Sequence, residues 1–144
     1  MRLVLASVLI ASGAYANPPC PAPHVRTYRS LAAAQAALGS NPPQAAPQLA
    51  DRGEAFFVDV PLGSPNGSDA VNYKVDAIFV QADRIVVVDD LVRWTSVLPP
   101  PGHRSPTTPA QSIRIDGTTA HLSIRDMREL LVDLAHAKLA GCAK

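Results

Sequence analysis

The chain has 144 residues, of which 47% are apolar, with 13 Lys and Arg against 12 Asp and Glu. That length suits one domain with one core, and a near-neutral charge that alternates in sign without a basic patch argues against nucleic acid or anionic membrane as partners. The two cysteines have no CxxC or CxH neighbour, so they do not make a metal site.

Met1-Arg2 is a short positive start, residues 3–14 (LVLASVLIASGA) are an apolar run, and Ala14-Tyr15-Ala16 is a small-x-small cleavage site. This is the pattern of a secretory signal peptide. A transmembrane helix needs ~20 apolar residues, more than this run supplies. A buried N-terminal helix is the alternative, but Pro18, Pro19, Pro21 and Pro23 follow at once and the run has no polar face. Cys20 is no lipidation site, because Asn17-Pro18-Pro19 stands where small residues are required. No stable membrane anchor is expected. Cleavage after Ala16 removes Arg2, leaving 12 basic against 12 acidic residues. One domain spans 17–144, with Cys20 near one end and Cys142 near the other. In an oxidising compartment, periplasmic or extracellular, two cysteines most simply form one disulfide.

Residues 27–38 (TYRSLAAAQAAL) predict a helix: they are Ala-rich, Thr27 or Ser30 can cap the start and Gly39 can close the end. Tyr28, Leu31 and Leu38 form its apolar stripe. A Pro-rich loop over 41–48 leads to a short helical turn at 48–52. Residues 54–60 (EAFFVDV) predict a strand, ended by Pro61 and the turn-rich LGSPNGSD. LGSPNG lacks the P-loop lysine and carries no phosphate claim.

Residues 71–80 (VNYKVDAIFV) alternate most clearly. Val71, Tyr73, Val75, Ala77 and Phe79 share one face, and Asn72, Lys74 and Asp76 share the other, wetted one. After a short connection at 81–84, residues 85–92 (IVVVDDLV) form the second strand of a hairpin. The Pro-rich stretch 99–109 (PPPGHRSPTTP) predicts a long exposed loop. Residues 112–116 (SIRID) alternate again, Asp116-Gly117 is a type I′ hairpin signal, and 118–122 return.

Ser123 is expected to cap a long helix over 124–140, with Asp126 in its first turn and Gly141 as its stop. Met127, Leu130, Leu131, Leu134 and Ala135 supply an apolar stripe, and Arg125 pairs with Glu129 on the outer face. The expected fold class is α+β: a two-layer sandwich with a mostly antiparallel sheet of about five strands, packed by the N-terminal and the long C-terminal helix, its termini joined by a disulfide.

No family of motifs for catalysis is complete. Asp89-Asp90 closes an apolar strand, where a carboxylate can bind a divalent cation or act as base, with Asp59, Asp76 and Asp83 as further ligands. Neighbouring strand residues face opposite ways, so only one of the pair serves a given site. No calcium-loop spacing is present. The histidines, His24, His103, His121 and His136, form no HxH, HxxxH or HExxH pattern, so no metal and no cofactor is expected. Ser123, His121 and Asp116 could be combined on paper as a triad, but there is no GxSxG elbow. His103 with His121 is a further conceivable acid/base pair.

Arg93 and the single tryptophan, Trp94, stand where the sheet meets the Pro-rich loop, whose tip carries His103 and Arg104. Trp and Arg dominate interface hot spots. The alternative role for Trp94 is to plug the sheet edge with its N–H bonded. The sequence thus favours an exported, non-enzymatic domain binding a protein partner: an inhibitor, an immunity protein or an accessory subunit. Binding residues would be Arg93, Trp94, His103 and Arg104. A small hydrolase using His and Asp, and an envelope or particle component assembling through a strand edge, are the alternatives.

Overall fold

A computed structural model describes residues 19–38, 49, 53–63, 70–97, 111–124 and 127–143. The predicted signal segment 1–16, the predicted loops at 41–48 and 99–109, Gly39, most of the predicted turn at 48–52, the part of LGSPNGSD beyond Gly63, Arg125 and Asp126 lie outside the described residues. The elements in chain order are β1 (His24–Tyr28), α1 (Leu31–Leu38), β2 (Ala55–Gly63), β3 (Ala70–Val80), β4 (Ile85–Val97), β5 (Gln111–Asp116), β6 (Thr119–Ile124), β7 (Leu130–Asp133) and β8 (Lys138–Cys142). The strands form two four-stranded antiparallel sheets, ordered β1-β4-β3-β2 and β5-β6-β7-β8.

One core lies between the sheets. Phe57, Val75, Ala77, Phe79, Val86 and Val88 of the first sheet meet Ala120, Leu122, Ile124, Leu130, Val132 and Leu134 of the second. The opposite face of the first sheet is covered as well: Phe56, Val58, Val60, Ile78, Ile85 and Val87 pack with Ala34 of α1 and with Leu49. The first sheet is therefore buried on both faces. This explains the continuous apolar run of β4, which alternation alone would not produce.

Local chemistry sets several boundaries. Ser30 begins α1, its Oγ accepting the Ala33 N–H at 3.1 Å, so the helix starts later than the predicted Thr27 and residues 24–28 are strand. Pro61 lies within β2, an edge strand that tolerates it, next to a register shift. In the β5–β6 hairpin only Gly117-Thr118 separates the paired Asp116 and Thr119. Gly117 alone has positive φ, at 64°, which fits a II′ turn better than the predicted I′.

The fold class is mostly β, with one short helix, and this corrects the α+β expectation. The predicted long C-terminal helix is absent: its residues form β7 and β8 around a turn at 134–137. Leu130, Val132 and Leu134 are all buried, so the period is two, while Leu131 is half-buried and Ala135 exposed. Pairing of β7 with β6 and β8 supplies its backbone partners. Asp133 holds the turn, its Oδ1 accepting the His136 N–H at 3.2 Å, and Ala137 closes it at a φ of 50°. Ser123 lies within β6 rather than capping a helix, and Gly141 is a strand residue with φ 116°.

Cys20 and Cys142 form the expected disulfide. It ties the segment before β1 to the end of β8, joining the two sheets at one side. Such a bond belongs to an oxidising compartment outside the cytosol. Among the described residues no helix is long and apolar enough to cross a membrane.

Candidate functional site

Regular pairing of β3 with β4 breaks once. Val75 pairs with Val92 and Ala77 with Val88, so Asp76 alone faces Asp89, Asp90 and Leu91. This bulge puts Asp90 at a φ of 58°, a left-handed conformation that Asp tolerates better than most residues. Asp76 Oδ1 accepts the Asp90 N–H at 2.8 Å. Asp76 shares the α1-facing side of β3 with Lys74 and Ile78, and it is fully buried.

Lys74 links the charges there. Its ammonium donates to Asp89 Oδ1 and lies 3.3 Å from Asp76 Oδ2. That second contact is an ion pair without hydrogen-bond geometry, and Asp76 Oδ2 has no hydrogen-bond partner. Arg26 of β1 reaches Asp89 Oδ2 from outside at 3.7 Å. Burial raises the Asp76 carboxyl to about 6, against the Asp90 hydrogen bond and the Lys74 charge. Partial burial also opposes the charge on Asp89, but the Lys74 bond and charge outweigh it and hold Asp89 below the usual carboxylate range. Lys74 is raised: its two carboxylates overcome the effect of burial. These groups border a cavity of about 240 Å³ whose remaining wall includes Tyr28, Ala34, Leu38 and Val87.

The sequence named Asp89-Asp90 and Asp76, and the structure relocates them. The pair lies inside β4 instead of closing a strand, and Asp76 lies on a covered face instead of a wetted one. Of the Asp89-Asp90 pair, Asp89 reaches the cavity, whereas Asp90 accepts three bonds from the exposed Arg93, one from Nη2 at 2.8 Å and two from Nε at 3.1 and 3.2 Å. Asp59 lies elsewhere, with Trp94, and Asp83 is exposed in the β3–β4 connection. Lys74 and Arg26 were not expected here. Among the described residues no three metal-binding side chains cluster.

The second feature is the outer half of β4. Strand β1 pairs with β4 only from Ile85 to Asp89, so among the described residues the stretch from Leu91 to Val97 pairs with β3 alone. Trp94 stacks on its cross-strand neighbour Tyr73, with ring centroids 4.6 Å apart and planes 14° apart, and its Nε1–H donates to Asp59 Oδ1 at 3.1 Å. The indole is thus half-buried and fixed, with its N–H satisfied. Arg93 and Trp94 point to opposite faces of β4, yet both border a groove of about 230 Å³ with Leu62, Asn72 and Thr95. His103 and Arg104 lie outside the described residues.

The described histidines do not assemble the Ser123–His121–Asp116 triad conceived from sequence, and of the His103–His121 pair, His103 lies outside the described residues. His121 Nδ1 lies 2.5 Å from Glu129 Oε1 and 3.0 Å from Arg114 Nη2. Its carboxylate is Glu129, not Asp116, which sits at the hairpin end opposite Thr119. His121 is on the outer face of the second sheet, because Ala120 and Leu122 face the core. It therefore does not converge with Asp76 and Asp89 on the far side of the first sheet. His136 pairs with Asp133 at 2.8 Å on an exposed turn, and His24 is exposed on β1.

Comparison of the chain with known proteins finds no matching family model, no similar curated protein and no similar solved structure.

Proposed function

We propose that the protein is an exported recognition domain that binds an extended segment of a partner protein alongside the outer half of β4, in the periplasm or the extracellular space. The observation that carries this reading is the pairing of β4 from Leu91 to Val97 with β3 alone among the described residues, beside the fixed Tyr73–Trp94 stack. An open strand edge offers a row of backbone donors and acceptors to an incoming strand, and flanking pockets then read its side chains. The groove at Arg93, Trp94 and Thr95 is such a flank. A rigid aromatic at the rim adds contact area at a small ordering cost. An inhibitor, an immunity protein and an accessory subunit all use binding of this kind.

The test is capture of exported proteins on the disulfide-intact protein, beside Trp94→Ala and Trp94→Phe, with folding checked by thermal melting. A partner held by wild type and Trp94→Phe but lost by folded Trp94→Ala supports the reading. Retention by Trp94→Ala, or self-association through the same strand as the sole interaction, overturns it, the latter in favour of an assembly component.

A further inference from the structure

The cavity beneath α1 shares no lining residue with the groove at Arg93 and Trp94, and the proposed function leaves it without a role. Its two carboxylates, Asp76 and Asp89, face two cations, Lys74 and Arg26, but the two cations are held very unequally. Asp76 and Asp89 share the half-buried Lys74, whose ammonium is committed to both. Burying charge in this way costs stability unless every group is well paired. Here one oxygen lacks a hydrogen bond and another is paired at long range. Asp76 is fully buried, borders the cavity and leaves Oδ2 without a hydrogen bond. Asp89 Oδ2 is approached by the Arg26 guanidinium at 3.7 Å, beyond hydrogen-bond distance, and the Arg26 side chain is 57% exposed. Arg26 is thus a loosely held cation at the mouth.

We propose that this cavity binds a small organic cation, an ammonium or guanidinium group on a short apolar stem, with its charged head on Asp89 Oδ2 in the place Arg26 now approaches. The stem would lie against Ala34, Leu38 and Val87. Tyr28 stands in the same wall, and an aromatic ring within reach of a cation attracts it. An anion is disfavoured because it would meet two carboxylates, and Lys74 has no charge to spare. A hard divalent cation is disfavoured because the Lys74 ammonium already stands between the two carboxylates, and among the described residues no third metal-binding side chain joins them.

The proposal gives the two charged residues at the mouth opposite signs. Asp89 is the ligand, whereas Arg26 competes with the occupant for the same oxygen. The probe is n-butylammonium, with butyrate as the anionic control of similar shape. Binding to the disulfide-intact protein is followed by the amide NMR shifts of Asp76, Asp89 and Asp90. The expected result is a saturable shift with n-butylammonium and none with butyrate. Arg26→Ala should tighten binding severalfold, and Asp89→Asn should weaken it by about tenfold or more, the effect of one lost charge contact. Arg26 is exposed, so its variant reads binding without disturbing the fold. Saturable binding of butyrate, weaker n-butylammonium binding in Arg26→Ala, or no saturable shift with n-butylammonium in either wild type or Arg26→Ala overturns the proposal.

Discussion

Asp76 Oδ1 accepts the backbone N–H of Asp90 at 2.8 Å, so a fully buried carboxylate holds the bulge at which β4 leaves its register with β3. The same point divides β4 into a half flanked by β1 and a half that, among the described residues, pairs with β3 alone. Residue 76 therefore matters to the fold beyond its charge.

Replacing Asp76 separates those roles. Asp76→Ala orphans the Asp90 N–H and one partner of Lys74, and should cost about 2–3 kcal/mol, the usual penalty for an unsatisfied buried group. Asp76→Asn keeps an oxygen for the Asp90 N–H and removes the buried charge, so its stability at pH 7 should stay within about 1 kcal/mol of wild type. Urea denaturation of both variants measures the difference.

The pH dependence of stability follows from the same group. The Asp76 carboxyl stands near 6 in the fold, against an ordinary value of 3.8. Between those values the folded state holds a proton that the unfolded chain releases. The contribution of Asp76 is greatest below the ordinary value and is lost as the pH rises through about 6. Asp89, lowered in the fold, works the other way: its contribution is present above the ordinary carboxylate range and is lost as pH falls through its folded value. The melting temperature of wild type minus that of Asp76→Asn should fall from pH 4 to 6 and level off above about 7. Parallel curves would refute the assignment.

The disulfide should be a large contributor to stability. Cys20 and Cys142 are 122 residues apart. Closing so long a loop restricts the unfolded chain by about 5 kcal/mol in the chain-entropy model. Cys20→Ser with Cys142→Ser should lower the denaturant midpoint accordingly, and reductant should then have no further effect.

Arg84 is a second tie between the sheets. Its Nη2 donates to the Leu134 and Ala135 carbonyls at 2.8 and 2.7 Å, and its Nε donates to Gln81 at 3.2 Å. One guanidinium thus joins the β3–β4 connection to the β7–β8 turn. Arg84→Ala should cost about 2 kcal/mol, and Arg84→Lys should not restore it, because an ammonium lacks the fork that spans these groups. Thermal melting of the two variants measures this.

What the sequence made legible was what depends on local pattern. Alternation located β3, Asp-Gly marked the β5–β6 hairpin, and Ser30 stood ready as a helix cap. Cysteine arithmetic gave the Cys20–Cys142 bond. The C-terminal segment was misread because Leu130, Leu131 and Leu134 fit a helical stripe while Leu130, Val132 and Leu134 fit a strand equally well. Ala-rich content favours the helix in isolation, and pairing with β6 and β8 decides for the strand. The ion cluster was hidden for a related reason. Lys74 and Asp76 have the spacing of any wetted strand face, and only the position of α1 and Leu49 buries that face. Arg26 belongs to a strand that the sequence had assigned in part to a helix.

The most direct test of the central claim is amide hydrogen exchange on the disulfide-intact protein, free and bound to its captured partner. If the partner adds a strand to β4, the amides of residues 91–97 gain protection on binding, while those of the second sheet change little. Protection confined to β5–β8, or unchanged exchange at 91–97, would contradict the account.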